Sequence, residues 1–162
     1  MKKIWYLLKC PKGYEQNCAQ QYQDLAASQK LQVVNFEYQR MMRYGGSWHL
    51  ERRTLFPGYL FLSGDAFLTE AHGTEWIGKN VSLVPCEPPY MKELCQKDNL
   101  VVMSRGVIRN GNTVVTSGPL KGREGLIRRI DRHRRTAEIE IPFRGQMAQV
   151  TVGLEIYEKS EG

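Results

Sequence analysis

The chain has little with which to do covalent chemistry. Its 162 residues hold three histidines, His49, His72 and His133, and four cysteines, Cys10, Cys18, Cys86 and Cys95. No two of these share the short spacing of a zinc site or a redox dithiol, so neither a metal nor a cofactor is expected. Gly118-Pro119-Leu120-Lys121-Gly122-Arg123-Glu124-Gly125 is rich in glycine but lacks the Gly-Lys-Ser/Thr ending of a nucleotide-binding loop. Long apolar runs are also missing. Met1-Lys2-Lys3 and Ile4-Trp5-Tyr6-Leu7-Leu8 imitate a secretory signal, but Lys9 ends the run too early, and no later stretch approaches a membrane span. These absences point to a cytoplasmic non-enzyme with reduced thiols and no membrane partner.

Positive charge is abundant. The formal net charge is +6, and from Lys121 to Arg135 seven Lys or Arg stand against Glu124 and Asp131. A basic chain of this size favours polyanions, RNA or DNA first among them. An apolar content of 41% suffices for a packed core in one domain or two small ones.

Ile4 to Lys9 reads as a buried strand closed by Cys10-Pro11-Lys12-Gly13. Tyr14, Cys18, Tyr22, Leu25 and Ala26 recur at helical spacing, with Glu15, Gln16, Gln20, Gln23 and Asp24 on the outer face. Leu31 to Tyr44 is extended, and Gly45-Gly46-Ser47 turns it into a hairpin with Trp48 to Leu55. Phe56-Pro57-Gly58 breaks the pattern before a central strand, Tyr59-Leu60-Phe61-Leu62. A helix between Ala66 and Trp76, a strand from Asn80 to Cys86 and a short helix from Tyr90 to Gln96 complete the order. That order fits an α+β sandwich, helices on one face of a mainly antiparallel sheet, over residues 1–103.

Beyond Asp98-Asn99 glycines punctuate short extended segments, as in an all-β module. Ala137, Ile139 and Ile141 alternate with polar residues, as do Ala148, Val150 and Val152, across a turn containing Phe143-Arg144-Gly145. With Thr113 to Thr116, Leu126 to Ile130 and a last segment near Ile156-Tyr157, these make a barrel of about five strands over 111–162, after a linker at 104–110. The β-branched alternation and Pro142 favour a permanent barrel.

Gly111 to Ile130, with Val114-Val115, Gly118-Pro119, Gly125 and Leu126-Ile127, resembles the KOW motif of SH3-like barrels. Trp5-Tyr6-Leu7-Leu8, Gly13-Tyr14-Glu15 and Phe56-Pro57-Gly58-Tyr59-Leu60-Phe61 resemble the N-terminal (NGN) domain of NusG-type transcription factors, above all their specialised LoaP and RfaH paralogues. The resemblance implies a monomeric antitermination or elongation factor without catalytic residues. It also implies an N-terminal domain that docks on the β′ clamp helices of RNA polymerase and reaches toward the β subunit. Leu8, Lys9, Phe56 and Pro57 fall on that docking surface, with Phe56 and Pro57 as exposed anchors. Leu68 to Gly73, with His72, corresponds to a loop on the other side of the polymerase cleft.

Arg128, Arg129, Arg132, His133, Arg134 and Arg135 fall at a strand end and the following turn. Such crowding is unfavourable unless carboxylates or a polyanion offset it, and arginine forks suit phosphates and unpaired bases. An RNA hairpin is therefore the expected ligand, with Lys121 and Arg123 at the edge of its site. Arg40, Arg43, Tyr44, Trp48, Arg52 and Arg53 around the Gly45-Gly46 turn form a second candidate surface, mixing cations with aromatics. Phe143 matches the position from which general NusG-type factors engage a ribosomal protein or Rho. A KOW-containing ribosomal RNA-binding protein is the rival reading.

Overall fold

The computed structural model describes residues 3–28, 31–65, 83–95 and 97–161. They gather into two units, each built from two separated stretches: Met1–Phe36 with Phe56–Pro88, and Glu37–Leu55 with Pro89–Gly162. The helix expected between Ala66 and Trp76 and the Leu68 to Gly73 loop lie outside the described residues.

In the first unit, strand β1 (Lys3–Lys9) leads to helix α1 (Glu15–Ser28) and strand β2 (Gln32–Val34). Two further strands, β5 (Tyr59–Asp65) and β6 (Leu83–Pro85), complete an antiparallel sheet in the order β2-β5-β1-β6. Alternation along β1 and β5 sorts their side chains to opposite faces. Leu8, Leu60 and Leu62 pack with Ala26 and Leu31, flanked by Tyr6, Cys18 and Tyr22. Trp5, Phe36, Phe56 and Phe61 form a second, aromatic cluster, in which Phe61 meets Phe36 and Phe56 edge-on at 5.3 and 5.5 Å between centroids. Such geometry suits the ring quadrupoles and adds about 0.5–1.5 kcal/mol per pair to burial.

Glu15 departs from its expected place on the outer face of α1. It is 4% exposed, and its carboxylate accepts the Gly13 N–H at 3.0 and 3.1 Å and the Gly58 N–H at 2.7 Å. Burial pushes its pKa up, but the N–H donors of Gly58, its own backbone and Gly13 outweigh this and hold it below the ordinary glutamate range.

The second unit contains the hairpin of β3 (Glu37–Tyr44) and β4 (Ser47–Thr54), with β7 (Leu100–Val101) parallel to β3. Leu31 to Tyr44 is thus not one strand: the chain breaks at Asn35-Phe36, where Phe36 is buried in the aromatic cluster of the first unit. A single helical turn, Met91–Leu94, precedes β7.

The barrel strands are β8 (Ser104–Arg109), β9 (Asn112–Ser117), β10 (Ile127–Asp131), β11 (Thr136–Phe143) and β12 (Gln146–Ser160), in the order β10-β11-β12-β8-β9. The β11–β12 hairpin follows the expected register and buries Ala137, Ile139, Ile141, Val150 and Val152. Residues 104–110 are not a linker, since β8 lies there and pairs with β9 and β12. Nor is Ile156-Tyr157 a separate strand. It continues β12, which pairs with β11 up to Gly153 and runs parallel to β8 from Leu154. A Cβ at Gly153 would collide with the Met103 sulfur and the Gln39 carbonyl oxygen, so glycine here lets β3 lie against the barrel.

Candidate nucleic-acid interface

Arg128 and Arg129 sit on β10, and Arg132 to Arg135 form the turn into β11, which Arg135 closes in the left-handed region at φ 57°. Three of these cations are held by the protein. Arg128 donates to Glu140 at 2.7 Å and to the Gly125 carbonyl at 2.6 Å. Arg134 lies 3.9 Å from Asp131, whose Oδ1 accepts the Arg134 backbone N–H at 2.9 Å. That N–H, aided by the charges of Arg134, His133 and Arg129, holds the Asp131 pKa below its ordinary value against a smaller desolvation. Arg135 lies 3.8 Å from Glu155, with its guanidinium 3.8 Å above the Trp48 ring. Arg129, Arg132 and His133 have no ion pair among the described residues.

Trp48 belongs to the β3–β4 hairpin, so the two basic surfaces read separately from sequence meet in one unit. Arg43 pairs with Trp48 across the hairpin, its guanidinium 5.9 Å from the ring. Nearer the tip, Tyr44 stacks on His49 with centroids 3.8 Å apart and planes 8° from parallel. Arg40 lines a groove of about 210 Å³ with Arg129, Arg134, Asp131 and Glu138. Its Nε is buried and has no hydrogen-bond partner among the described residues.

Other expected contacts are arranged differently. Arg52 is paired with Glu37 at 3.2 Å and Arg53 with Glu51 at 2.9 Å, and both remain exposed beside the hairpin. Arg123 ties back to the Pro119 carbonyl at 3.0 Å, and Lys121 is exposed in the same turn. No hydrogen bond or ion pair among the described residues joins either to Arg128 to Arg135. The turn they occupy is structural. Gly118 has φ 96°, and a Cβ there would stand 2.5 Å from the Ser104 Cα.

Leu8 is fully buried, and Phe56, 4% exposed, is not the exposed anchor expected; Lys9 and Pro57 are exposed. Edge-on packing against Phe36 and Phe61 turns the Phe56 ring inward. Phe143 ends β11 opposite Gln146, half-buried. Burial pushes the Cys10 thiol up to about 11, helped by Cys18 and Glu15 nearby, and burial alone does the same for Cys95. Tyr38, Asp131 and Glu138 were missed as site residues. The signal for Tyr38 was its period-two relation to Arg40, which sets both on one face of β3.

The described residues thus form an α+β sheet unit and a small β barrel, with a cation-rich surface carrying aromatic rings on the unit that holds the barrel. The sequence model of the NusG family, described as transcription termination factor nusG, matches residues 3–83. The chain belongs to the NusG family, whose members are transcription factors. A solved structure of Thermotoga maritima NusG, reported for its domain interaction, is similar at 16% identity and a TM-score of 0.42, over 96% of this chain and 95% of that one. No curated protein matches by sequence. Among the described residues no helix is long and apolar enough to cross a membrane.

Proposed function

We propose that the chain is a cytoplasmic, monomeric elongation factor of the processive antitermination kind, similar to the LoaP and RfaH paralogues. Its first unit binds transcribing RNA polymerase at the β′ clamp helices, toward the β subunit, and its second binds a hairpin in nascent RNA. Family membership over residues 3–83 carries the reading. A factor that binds the closed-clamp polymerase better than the open one disfavours pausing, and a few kcal/mol of differential affinity is enough.

Lys9 and Pro57 are the expected docking residues open to a partner, while Leu8 and Phe56 shape the strand and turn that present them. Lys9→Glu combined with Pro57→Asp is expected to abolish co-purification with RNA polymerase and leave the far-ultraviolet spectrum unchanged. Wild-type recovery of polymerase would overturn the docking surface.

RNA is favoured over duplex DNA because the surface couples guanidiniums to aromatic rings, with Tyr44 exposed, and unpaired bases of a hairpin loop can stack on such groups. Gel-shift titration with a leader RNA hairpin and a DNA duplex of matched length tests this; tighter binding to the duplex overturns it. A general NusG-type factor, coupling through Phe143 to Rho or a ribosomal protein, would occupy most genes. The specialist occupies a few long operons, and genome-wide occupancy separates the two. Retention on ribosomal subunits at high salt, without polymerase, would instead identify a ribosomal RNA-binding protein.

A further inference from the structure

The groove lined by Arg40 carries a more specific inference, which rests on the RNA reading above. Its lining is of mixed sign: the guanidiniums of Arg40, Arg129 and Arg134 share it with the carboxylates of Asp131 and Glu138. A site for phosphate alone gains nothing from carboxylates, which repel the ligand at this range. Arg40, whose buried Nε has no hydrogen-bond partner among the described residues, brings to this lining a guanidinium with donors to spare. Asp131 is partly engaged by the Arg134 N–H. Glu138 makes no hydrogen bond or ion pair among the described residues, and it lies directly across from Arg129 in the β10–β11 register. A donor and a free acceptor on neighbouring strands therefore border one cavity, with the buried Tyr38 as a further wall.

We propose that this groove receives a single unpaired guanine of the bound RNA, with Arg40 and Arg129 donating toward O6 and N7 and Glu138 accepting from N1–H and the 2-amino group. Guanine carries two acceptors on one edge and two donors beside them, which matches this division of charge. Adenine would place an amino donor against an arginine, and a pyrimidine offers no N7.

The test uses the full chain and fluorescence anisotropy with a short oligouridylate carrying one central guanine, adenine, inosine or 7-deazaguanine. The guanine RNA is expected to bind about tenfold tighter than the adenine RNA, the size of one bidentate contact. Inosine, without the 2-amino group, and 7-deazaguanine, without N7, should each lose several-fold. Glu138→Ala should erase the guanine–inosine difference. Arg40→Lys, which keeps the charge but not the fork, should shrink the guanine–adenine preference several-fold, the share of Arg129 and Glu138 remaining, and retain the salt dependence. Equal binding of all four RNAs, or a guanine–inosine ratio untouched by Glu138→Ala, overturns the groove assignment and leaves the RNA reading standing. No binding of the leader RNA hairpin in the gel shift at about 50 mM salt overturns both.

Discussion

The carboxylate of Glu15 accepts the Gly58 N–H at 2.7 Å, tying the first residue of α1 to the turn that follows Phe56-Pro57. Two sequence motifs more than forty residues apart are thus one structural feature. Glu15→Ala would leave the Gly58 and Gly13 N–H groups without that acceptor and is expected to cost about 2–4 kcal/mol in urea unfolding at pH 7. Because the folded pKa is depressed, the stabilisation is complete above the unfolded value near 4.5 and is lost as pH falls below it toward the folded value. The acid limb of the stability profile should therefore be shallower in Glu15→Gln. An unchanged limb would assign the acid sensitivity to other carboxylates.

Phe56→Ala is expected to act on stability. Removing a ring packed against Phe36 and Phe61 should cost about 3–5 kcal/mol. A melting temperature equal to that of the parent would mean that the ring is not packed as described.

Trp48 and Arg135 should be energetically coupled. A double-mutant cycle of Trp48→Ala and Arg135→Ala, read by chemical unfolding, is expected to give about 1 kcal/mol for this half-buried cation–π contact. Strict additivity would mean that hairpin and barrel do not hold each other through this pair.

Arginines of the turn should differ in their share of RNA binding. Replacing Arg129, Arg132 and Arg134 together by Ala is expected to flatten the plot of log affinity against log salt by about 0.7–0.9 per lost phosphate contact. Arg128→Ala should change the slope far less, because Glu140 and the Gly125 carbonyl already hold that guanidinium. Equal slopes for the triple variant and the parent would remove the turn from the interface.

Period-two alternation made the β11–β12 hairpin legible in the sequence, and a dense apolar run did the same for the central strand of the first unit. What periodicity does not carry is partnership. Val33-Val34 and Tyr38 look like one strand, yet they serve different sheets, because the buried Phe36 interrupts the ladder between them. Ser104 to Arg109 contains Gly106 and basic residues and so resembles a linker, although it supplies a barrel strand; a Cβ at Gly106 would crowd the Val114 carbonyl at 2.6 Å. Glu15 was placed by charge on the solvent side, whereas three backbone N–H contacts draw it inward. The arginines of 128–135 were visible as a cluster, but their meeting with Arg40 and Trp48 depends on Gly153, which no local pattern marks.

Because the β3–β4 hairpin groups with the barrel, the order of synthesis and the order of assembly cannot coincide. Glu37 to Thr54 leave the ribosome about a hundred residues before the far half of β12, a delay of roughly 5–20 s at ordinary elongation speeds. Through that interval the Trp48 face awaits its barrel counterpart, while the first unit, which ends at Pro88, has already left the ribosome whole. Recombination between relatives meets the same constraint. A barrel exchanged alone would arrive under a foreign hairpin, so the two segments are expected to be inherited together.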